Sequence, residues 1–310
     1  MSTPSVSTVI GSGTMGPGIA ATLARRGSRV RLNDVNKEVL DAAEGAYALA
    51  EKVLDRLDTP VTPGGATSFE LDLPTALADT ELVIEAVPEK LELKQQVLAQ
   101  VEDVVGDNVV IATNTSGIPI TKLADGMRHP ERLIGMHWSN PPHLIPMIEV
   151  VRGDETSDDV QDRLVGIVEG FGYEAVIERE VPGFVENRVL YAIMRECLAM
   201  LEEGIATQED IDTCVKWGIG YKLSVVGPMR LLDMAGLDIY ESVAGYLNKD
   251  LSDTQGVPAV VTERTRAGNL GMKTGSGMYE YGEGDVAAKR ADIVSGLIEA
   301  RRTLSKIERV

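Results

Sequence analysis

The segment Gly11-Ser12-Gly13-Thr14-Met15-Gly16 follows a short β-branched run and opens a helical pattern. In this context the first glycine permits a tight turn, the second lets the backbone approach a pyrophosphate, and the third lets the helix pack closely on a sheet. The helix N-terminus then offers N–H groups and a positive dipole to the phosphates. The residues predicted to bind the dinucleotide are Gly11, Gly13, Thr14, Met15 and Gly16.

Asp34 ends the second predicted strand, about 20 residues beyond the glycine loop, where a carboxylate commonly binds the ribose of a dinucleotide. A carboxylate accepts hydrogen bonds from both ribose hydroxyls but repels the additional phosphate of NADP. NAD is therefore the expected cofactor. Arg31 is close in sequence, but strand alternation does not require it to face the ribose. The alternative for Asp34 is a turn residue at the end of a strand.

Short β-branched runs alternate with helical patterns through the first half of the chain. Predicted strands are Ser7–Ile10, Arg29–Asp34, Glu81–Ala86, Asn108–Thr113 and Arg132–Met136, with Met147–Arg152 and Glu174–Ile177 extending the sheet. Predicted helices are Gly16–Arg26, Lys37–Leu57, Lys90–Val104 and Asp154–Phe171. This alternation predicts an α/β fold, a Rossmann doubly wound and mostly parallel sheet.

The pattern changes near Val181-Pro182-Gly183, after which no strand pattern of similar strength occurs. The helices predicted beyond it are Glu186–Glu203, Gln208–Trp217, Pro228–Leu247, Pro258–Ala267 and Val286–Ile307. We therefore expect two domains, an NAD-binding Rossmann domain over residues 1–182 and an all-α C-terminal domain over residues 183–310, for substrate binding and dimerisation.

Composition excludes several classes of protein. The formal net charge of -18 argues against a nucleic-acid surface, which needs a basic stripe. No apolar run approaches the roughly 20 residues of a membrane helix, and the first residues lack the basic start of a signal peptide. Two cysteines, Cys197 and Cys214, are too few for a disulfide framework or a thiolate metal site. A cytoplasmic protein without a bound metal is expected.

The chain has three histidines, His129, His137 and His143, and His137 has the position best suited to catalysis. It follows a predicted strand at the carboxyl end of the sheet, where ligands bind in open α/β folds. Hydride transfer needs a base for the hydroxyl proton, and histidine is the side chain best suited near neutral pH. Glu149, within an apolar run, is the candidate carboxylate that orients it, because a buried carboxylate needs a partner.

Further groups of residues occur in order along nearly the whole chain. They are Asn114-Thr115-Ser116, Gly135-Met136-His137 with Asn140-Pro141, Ile148-Glu149-Val150, Pro182-Gly183-Phe184 with Asn187-Arg188, Gly227-Pro228 with Leu231-Leu232-Asp233, and Lys273-Thr274-Gly275-Ser276-Gly277-Met278-Tyr279. Together they resemble the 3-hydroxyacyl-CoA dehydrogenase family. The resemblance implies NAD as cofactor, a small-molecule substrate and a homodimer formed through the helical domain.

The resemblance also implies roles for individual residues. His137 and Glu149 would act as base and orienting carboxylate, and Asn140 would help to hold the imidazole region. Ser116 and Asn187 would bind the reacting oxygen or its neighbours; their alternative role is local capping. The residues that match the cofactor side of the family are Glu89, Lys94, Asn114 and Ser116.

The acyl-CoA enzymes usually carry two aromatic residues after the histidine, whereas this chain has Trp138 followed by Ser139. The stretch Lys37–Thr67 also has few basic residues. Coenzyme A carries several phosphate charges, so a thin basic patch argues against a thioester substrate. Four segments resemble a narrower group in the family that oxidises a pyridine aldehyde acid of vitamin B6 breakdown: Thr115–Ile120, Met136–His143, Trp217–Lys222 and Leu232–Tyr240.

Three hypotheses stay open. The first is NAD-dependent oxidation of a pyridine aldehyde acid or similar small hydroxy acid. The second is 3-hydroxyacyl-CoA dehydrogenase activity, for example on 3-hydroxybutyryl-CoA. The third is a non-catalytic NAD-binding structural protein, against which the intact set of His137, Glu149, Ser116 and Asn187 argues.

Overall fold

The computed structural model describes residues 3–307. Contacts divide the chain into two compact units, the first ending at Arg188 and the second beginning at Val189. Met1 and Ser2 of the N-terminal segment considered above, and residues 308–310 of the second predicted domain, lie outside the described residues.

One eight-stranded sheet organises the first unit. Its strands are β1 (Val6–Ile10), β2 (Arg29–Asn33), β3 (Ala66–Glu70), β4 (Leu82–Glu85), β5 (Val110–Thr113), β6 (Leu133–Trp138), β7 (Met147–Arg152) and β8 (Glu174–Arg179). They lie in the order β3-β2-β1-β4-β5-β6-β7-β8, and every neighbouring pair is parallel except β6 and β7. The order reverses between β1 and β4, and ligands of such sheets bind beyond the carboxyl ends of the strands at that switch.

Helices cover both faces of this sheet. They are α1 (Gly16–Arg25), α2 (Lys37–Arg56), α3 (Leu73–Leu77), α4 (Leu91–Val104), α5 (Ile120–Ala124) and α6 (Asp158–Gly170), with a 3-10 turn at Pro130–Arg132. Buried side chains of α1, α2 and α6 pack on one face, and those of α3, α4 and α5 pack on the other. Strand alternation feeds both cores, so that Val9 of β1 belongs to the first and Ile10 to the second.

Helices make up the second unit. The described elements are α7 (Glu186–Glu202), which begins in the first unit, α8 (Gln208–Cys214), a π-helical segment (Val215–Gly220), α9 (Tyr221–Leu223), α10 (Pro228–Ala235), α11 (Leu237–Leu247), α12 (Ala259–Arg266) and α13 (Asp285–Leu304). The predicted fold class, a Rossmann sheet followed by an all-α region, is confirmed. Within residues 3–307 no helix combines the length and apolar character needed to cross a bilayer.

Several local features differ from the sequence-based expectations. β3 was not predicted because Ala66–Glu70 is mostly polar, as suits an edge strand, and only Phe69 packs beside the core. The short helices α3 and α5 also escaped the periodicity test, which needs longer segments. The single helix expected over Pro228–Leu247 is wrong, because Gly236 at φ 99° separates α10 from α11.

Candidate active site

The glycine loop between β1 and α1 has the geometry that a pyrophosphate cradle needs. Gly11 has φ 103°, and a Cβ there would lie 2.5 Å from the carbonyl oxygen of Ala86. A Cβ on Gly16 would collide with the carbonyl oxygen of Gly11. Around Gly13, in contrast, no atom of the described residues, its two chain neighbours aside, would lie within 4 Å of an added Cβ. The space over Gly13 and the uncapped N-terminus of α1 suit phosphate groups.

Asp34 lies beside this loop, directly after β2. Its Oδ2 accepts hydrogen bonds from the backbone N–H and hydroxyl of Ser12 at 2.9 and 3.0 Å, and its Oδ1 accepts one from the N–H of Asn36 at 2.9 Å. The Asp34 carboxylate thus holds Ser12 of the glycine loop in place, on the side where the ribose of a dinucleotide is expected. Arg31 turns away, since its guanidinium donates to the carbonyl oxygens of Ala76 and Ala78. No basic side chain of β2 therefore compensates the charge of Asp34.

A cavity of about 650 Å³ joins the glycine loop to the ends of β4 and β5. Eight predicted cofactor residues line it, namely Gly11, Gly13, Thr14, Met15, Asp34, Glu89, Asn114 and Ser116. An apolar wall that the sequence analysis did not single out completes it: Val35, Val39, Leu73, Val87, Pro88, Leu93 and Val97. The combination of polar loop and apolar wall matches the needs of a dinucleotide, whose phosphates and ribose are polar and whose rings are flat and weakly polar.

Lys94 does not line this cavity, although the sequence grouped it with the cofactor residues. Its side chain is 1% exposed, and its ammonium group donates to both oxygens of Glu85, at 2.8 and 3.0 Å, and to the carbonyl oxygen of Val87. It also lies 3.3 Å from Oε2 of Glu89. Lys94 therefore fixes two carboxylates beneath the cavity wall.

Glu89 links Lys94 to the turn that follows β5. Its Oε1 accepts hydrogen bonds from the hydroxyl of Thr115 at 2.5 Å and from the N–H of Ser116 at 2.9 Å. Burial acts to raise the pKa of Glu89, but the Thr115 hydroxyl and the charge of Lys94 outweigh it and hold that pKa below its ordinary value. An ionised carboxylate thus fixes the backbone at Ser116.

His137 and Glu149 form a buried pair across β6 and β7. They stand directly opposite each other in the antiparallel ladder, and Nδ1 of His137 lies 2.7 Å from Oε2 of Glu149. The two residues are 6% and 1% exposed. With Nδ1–H donating to the carboxylate, Nε2 keeps a lone pair with which to take a proton. The ring of Phe184 lies 5.5 Å from the imidazole and helps to shield it.

The second oxygen of Glu149 is held by backbone. Oε1 accepts hydrogen bonds from the N–H groups of Val185 and Glu186 at 3.0 and 2.7 Å. Gly183 and Phe184 precede them at φ 79° and 52°, left-handed conformations that are rare for a phenylalanine and turn the following N–H groups toward the anion. Burial acts to raise the pKa of Glu149, but the hydrogen bonds from His137 and from the N–H of Glu186 hold that pKa below its ordinary value.

The other predicted catalytic and cofactor residues near the ends of β5 and β6 and the start of α7 are three asparagines and a serine. Asn187 donates from Nδ2 to the carbonyl oxygen of Ser116 at 3.4 Å, so the structure brings these two predicted residues together. Asn114 accepts a hydrogen bond at Oδ1 from the N–H of Trp138 at 2.9 Å and ties the end of β5 to β6. Asn140 is exposed, and within the described part of the chain its side chain makes no hydrogen bond to His137.

The sequence analysis missed Glu178 and Glu186, both next to Glu149. Polar atoms of His137, Glu149 and Glu186 all lie within 4.8 Å of one another, and Glu186 accepts a hydrogen bond from the hydroxyl of Ser139 at 2.6 Å. Burial, followed by the charge of Glu149, raises the pKa of Glu178 to about 7. Glu178 was not singled out because the predicted strand Glu174–Ile177 ended before it, at the start of the charged run Glu178-Arg179-Glu180.

Comparison with known proteins agrees with this geometry. The model of the 3-hydroxyacyl-CoA dehydrogenase NAD-binding domain matches residues 6–181, and that of the C-terminal domain of the same family matches residues 183–281. The chain is 46% identical to 5-formyl-3-hydroxy-2-methylpyridine 4-carboxylate 5-dehydrogenase of Mesorhizobium japonicum, over 96% of this chain and 97% of that protein. It is 36% identical to a probable 3-hydroxybutyryl-CoA dehydrogenase of Deinococcus radiodurans, over 88% and 99%.

Solved structures rank in the same order of similarity to this chain. A 5-formyl-3-hydroxy-2-methylpyridine 4-carboxylic acid 5-dehydrogenase, an NAD+-dependent dismutase, superposes with a TM-score of 0.95 at 45% identity, covering 98% of this chain and 99% of that one. The (S)-3-hydroxybutyryl-CoA dehydrogenase of Ralstonia eutropha gives 0.72 at 34% identity, covering 90% and 99%. The predictions of NAD as cofactor and of an oxidoreductase are confirmed. The chain belongs to the 3-hydroxyacyl-CoA dehydrogenase family of NAD-dependent oxidoreductases.

Proposed function

We propose that the chain oxidises a pyridine aldehyde acid, 5-formyl-3-hydroxy-2-methylpyridine-4-carboxylate or a close analogue, with NAD, as a step of vitamin B6 breakdown. The observation that carries the proposal is the near full-length likeness to the dehydrogenase of that substrate, 46% in sequence and 0.95 in TM-score. The hydroxybutyryl-CoA dehydrogenase of Ralstonia eutropha stands further away, at a TM-score of 0.72.

The residues around the large cavity would hold NAD. The N–H groups at the start of α1 and the open backbone at Gly13 would take the pyrophosphate, and Asp34 would accept hydrogen bonds from the adenosine ribose. Ser116 and Asn114 line the end of the cavity at β5. When bound, NAD supplies the hydride acceptor.

His137 would act as the base. A hydrated aldehyde has one hydrogen and two hydroxyl groups on the same carbon. Nε2 of His137 would take the proton of one hydroxyl, and the electrons of that O–H bond would form the new C=O bond of the carboxylic acid as the hydrogen on the same carbon leaves as hydride. Bound NAD would supply the acceptor for that hydride. Glu149, ionised and 2.7 Å from Nδ1, stabilises the imidazolium that forms. Asn187 and Ser116, linked at 3.4 Å, would position the reacting oxygen.

A coenzyme A thioester is the second candidate, favoured by the family to which the chain belongs. The charge of α2 argues against it. This helix follows Asp34 and carries three basic residues, Lys37, Lys52 and Arg56, against five acidic ones. Lys37 is already paired with Asp41 at 2.7 Å. A surface of this charge gives little attraction to the phosphates of coenzyme A.

The test is an assay of the purified protein with the pyridine aldehyde acid and with 3-hydroxybutyryl-CoA, each with NAD. A related enzyme is an NAD+-dependent dismutase, so NADH formed in one turnover can be consumed in another. The assay therefore measures aldehyde loss and acid formation by chromatography as well as NADH absorbance. Oxidation of the aldehyde alone supports the proposal; faster turnover of the thioester overturns it.

We further propose a homodimer formed through the second unit. From Val189 to residue 307 only two apolar side chains, Ile211 and Ile298, are buried, at 7% and 0% exposure. Large apolar side chains are exposed instead, among them Tyr191, Trp217, Met229, Met234, Tyr240 and Tyr246. So much exposed apolar surface is typical of an interface. Light scattering that gives a monomer mass would contradict this.

A cytoplasmic location stays a prediction from cysteine usage.

A further inference from the structure

Glu178 lies on the same face of the sheet as the His137–Glu149 pair. β7 and β8 are parallel, with Glu149 beside Val176 and Val151 beside Glu178. Paired residues project to one face, and so do alternate residues along a strand, so Glu149 and Glu178 share a face. His137 stands opposite Glu149 on β6 and projects to that face as well. Three neighbouring strands thus present a histidine and two carboxyl groups side by side.

The surroundings of Glu178 do not suit a negative charge. Both of its carboxyl oxygens are buried, and neither accepts a hydrogen bond from a donor of the described residues. The charged groups that act on it are Glu149 from β7 and His137 from β6, whereas Arg179 alternates to the other face and is exposed. Glu186, at the start of α7, lies beside His137 and Glu149. No cation thus compensates Glu178 from its own strand.

The nearby donors serve Glu149 instead. The N–H groups of Val185 and Glu186 bind its Oε1, and the imidazole of His137 binds its Oε2. Two carboxyl groups in contact share one proton because both cannot be charged at low cost. The N–H of Val185 acts on both carboxyl groups but makes its hydrogen bond to Glu149. Glu149 thus has three hydrogen-bond donors and Glu178 has none among the described residues, so the proton belongs on Glu178.

We propose that Glu178 is a positioning residue that acts on His137 through Glu149, a role that rests on His137 being the base. As a neutral acid, Glu178 donates its hydroxyl to the Glu149 carboxylate and holds that carboxylate on Nδ1 of the imidazole. When Glu178 loses its proton, the second negative charge raises the proton affinity of His137. Glu178 and His137 therefore titrate together, and the basicity of the catalytic imidazole follows the charge of Glu178.

The test compares Glu178→Gln with the wild-type protein. Glutamine keeps a donor toward Glu149 but never becomes negative. We expect the acidic limb of the kcat/KM–pH profile to move to lower pH by about one unit, and the broad wild-type limb to sharpen to that of a single group. Glu180→Gln is the matched control, since it makes the same carboxyl-to-amide substitution two residues along, at a carboxylate that binds the N–H of Thr121 at 2.8 Å. Its profile should match the wild type.

NMR gives a second readout that does not depend on turnover. The chain has three histidines, so the imidazole signal of His137 is assigned by its loss in His137→Gln. We expect a two-step titration of His137 in the wild type and a single step at lower pH in Glu178→Gln. A single-step wild-type curve would overturn the proposal even if the variant failed to fold.

The outcomes separate this proposal from the assignment of His137 as base. If His137→Gln is inactive and the profile of Glu178→Gln matches the wild type, the role of Glu178 is wrong and the base assignment stands. If His137→Gln keeps full activity, the base assignment fails, and with it the positioning role, whatever the NMR titration shows of the coupling.

Discussion

Two clusters of ionisable side chains lie on the same sheet. They differ in how many of their carboxyl oxygens have a hydrogen-bond donor or a cation as partner. The lysine cluster, at the ends of β4 and β5, consists of Glu85, Glu89 and Lys94. The histidine cluster, on β6 to β8 and the start of α7, consists of His137, Glu149, Glu178 and Glu186. Each organises one side of the proposed active site.

In the lysine cluster every carboxylate oxygen has a partner. Oε1 of Glu85 accepts from Val87 at 2.7 Å and from Lys94, and Oε2 accepts from Thr113 at 2.6 Å and from Lys94. In the histidine cluster both oxygens of Glu178 and one of Glu186 are buried without a hydrogen-bond donor from residues 3–307. A fully matched network fixes structure, whereas unmatched carboxyls keep protons that can move. We therefore expect the first cluster to control stability and the second to control proton transfer.

Removal of the proposed base should have the largest effect on turnover. His137→Gln removes the group that takes the substrate proton, so kcat should fall by about 10²–10⁴-fold. NAD affinity, measured by fluorescence titration, should change little, because His137 does not line the cofactor cavity. Wild-type turnover in this variant would show that another group accepts the proton.

Loss of Lys94 should have the largest effect on stability. Lys94→Met leaves the Glu85 carboxylate, 0% exposed, without its cation. Breaking a buried pair from one side typically costs about 3–5 kcal/mol of unfolding free energy. The control is the double variant Glu85→Gln with Lys94→Met, which removes both charges and should recover much of the loss in urea unfolding. Equal stability of Lys94→Met and wild type would show that the lysine cluster does not stabilise the fold.

Asp34 lies between the two clusters in character. Its carboxylate accepts hydrogen bonds from the glycine loop, as in the lysine cluster, yet it is half-exposed at the cavity and can bind a ligand. Asp34→Ala removes acceptors for the ribose hydroxyls, and hydrogen bonds to a charged group contribute about 1.5–3 kcal/mol, or roughly 10–100-fold in Kd. NAD binding should weaken by about that factor, and NADP binding should weaken less. Calorimetry with both cofactors measures it. Equal losses for the two would remove the ribose role.

The two clusters also show what the sequence could predict. The Rossmann sheet, the NAD loop and the His137–Glu149 pair follow from local patterns: glycine spacing, apolar alternation and a histidine at a strand end. The ladder then places His137 and Glu149 opposite each other, as the pairing hypothesis requires. The buried position of Lys94 could not be read in this way, because a lysine in a helix next to a cofactor loop looks like a phosphate contact.

Glu178 shows more clearly what sequence patterns could not predict. It lies in the charged run Glu178-Arg179-Glu180, just beyond the predicted strand Glu174–Ile177, and only the register of β7 with β8 brings it to Glu149. The left-handed Phe184, which aims two N–H groups at Glu149, is equally invisible, because phenylalanine gives no signal for that conformation. Both depend on contacts between distant segments, which periodicity does not record.

The smallest expected effect is a change in the pH dependence of stability when Glu178 of the histidine cluster is replaced. Burial and the charge of Glu149 raise the pKa of Glu178 from its ordinary 4.5 to about 7. Between these values the folded state binds more protons at Glu178 than the unfolded state, so this group favours folding at low pH and loses that contribution as pH rises toward 7. Glu178→Gln lacks this slope, and its Tm relative to wild type should therefore be higher at about pH 8 than at about pH 5. Thermal melts of both proteins at the two pH values measure the difference. An unchanged gap would mean that Glu178 has the same pKa in both states, and that the histidine cluster is matched as well as the lysine cluster.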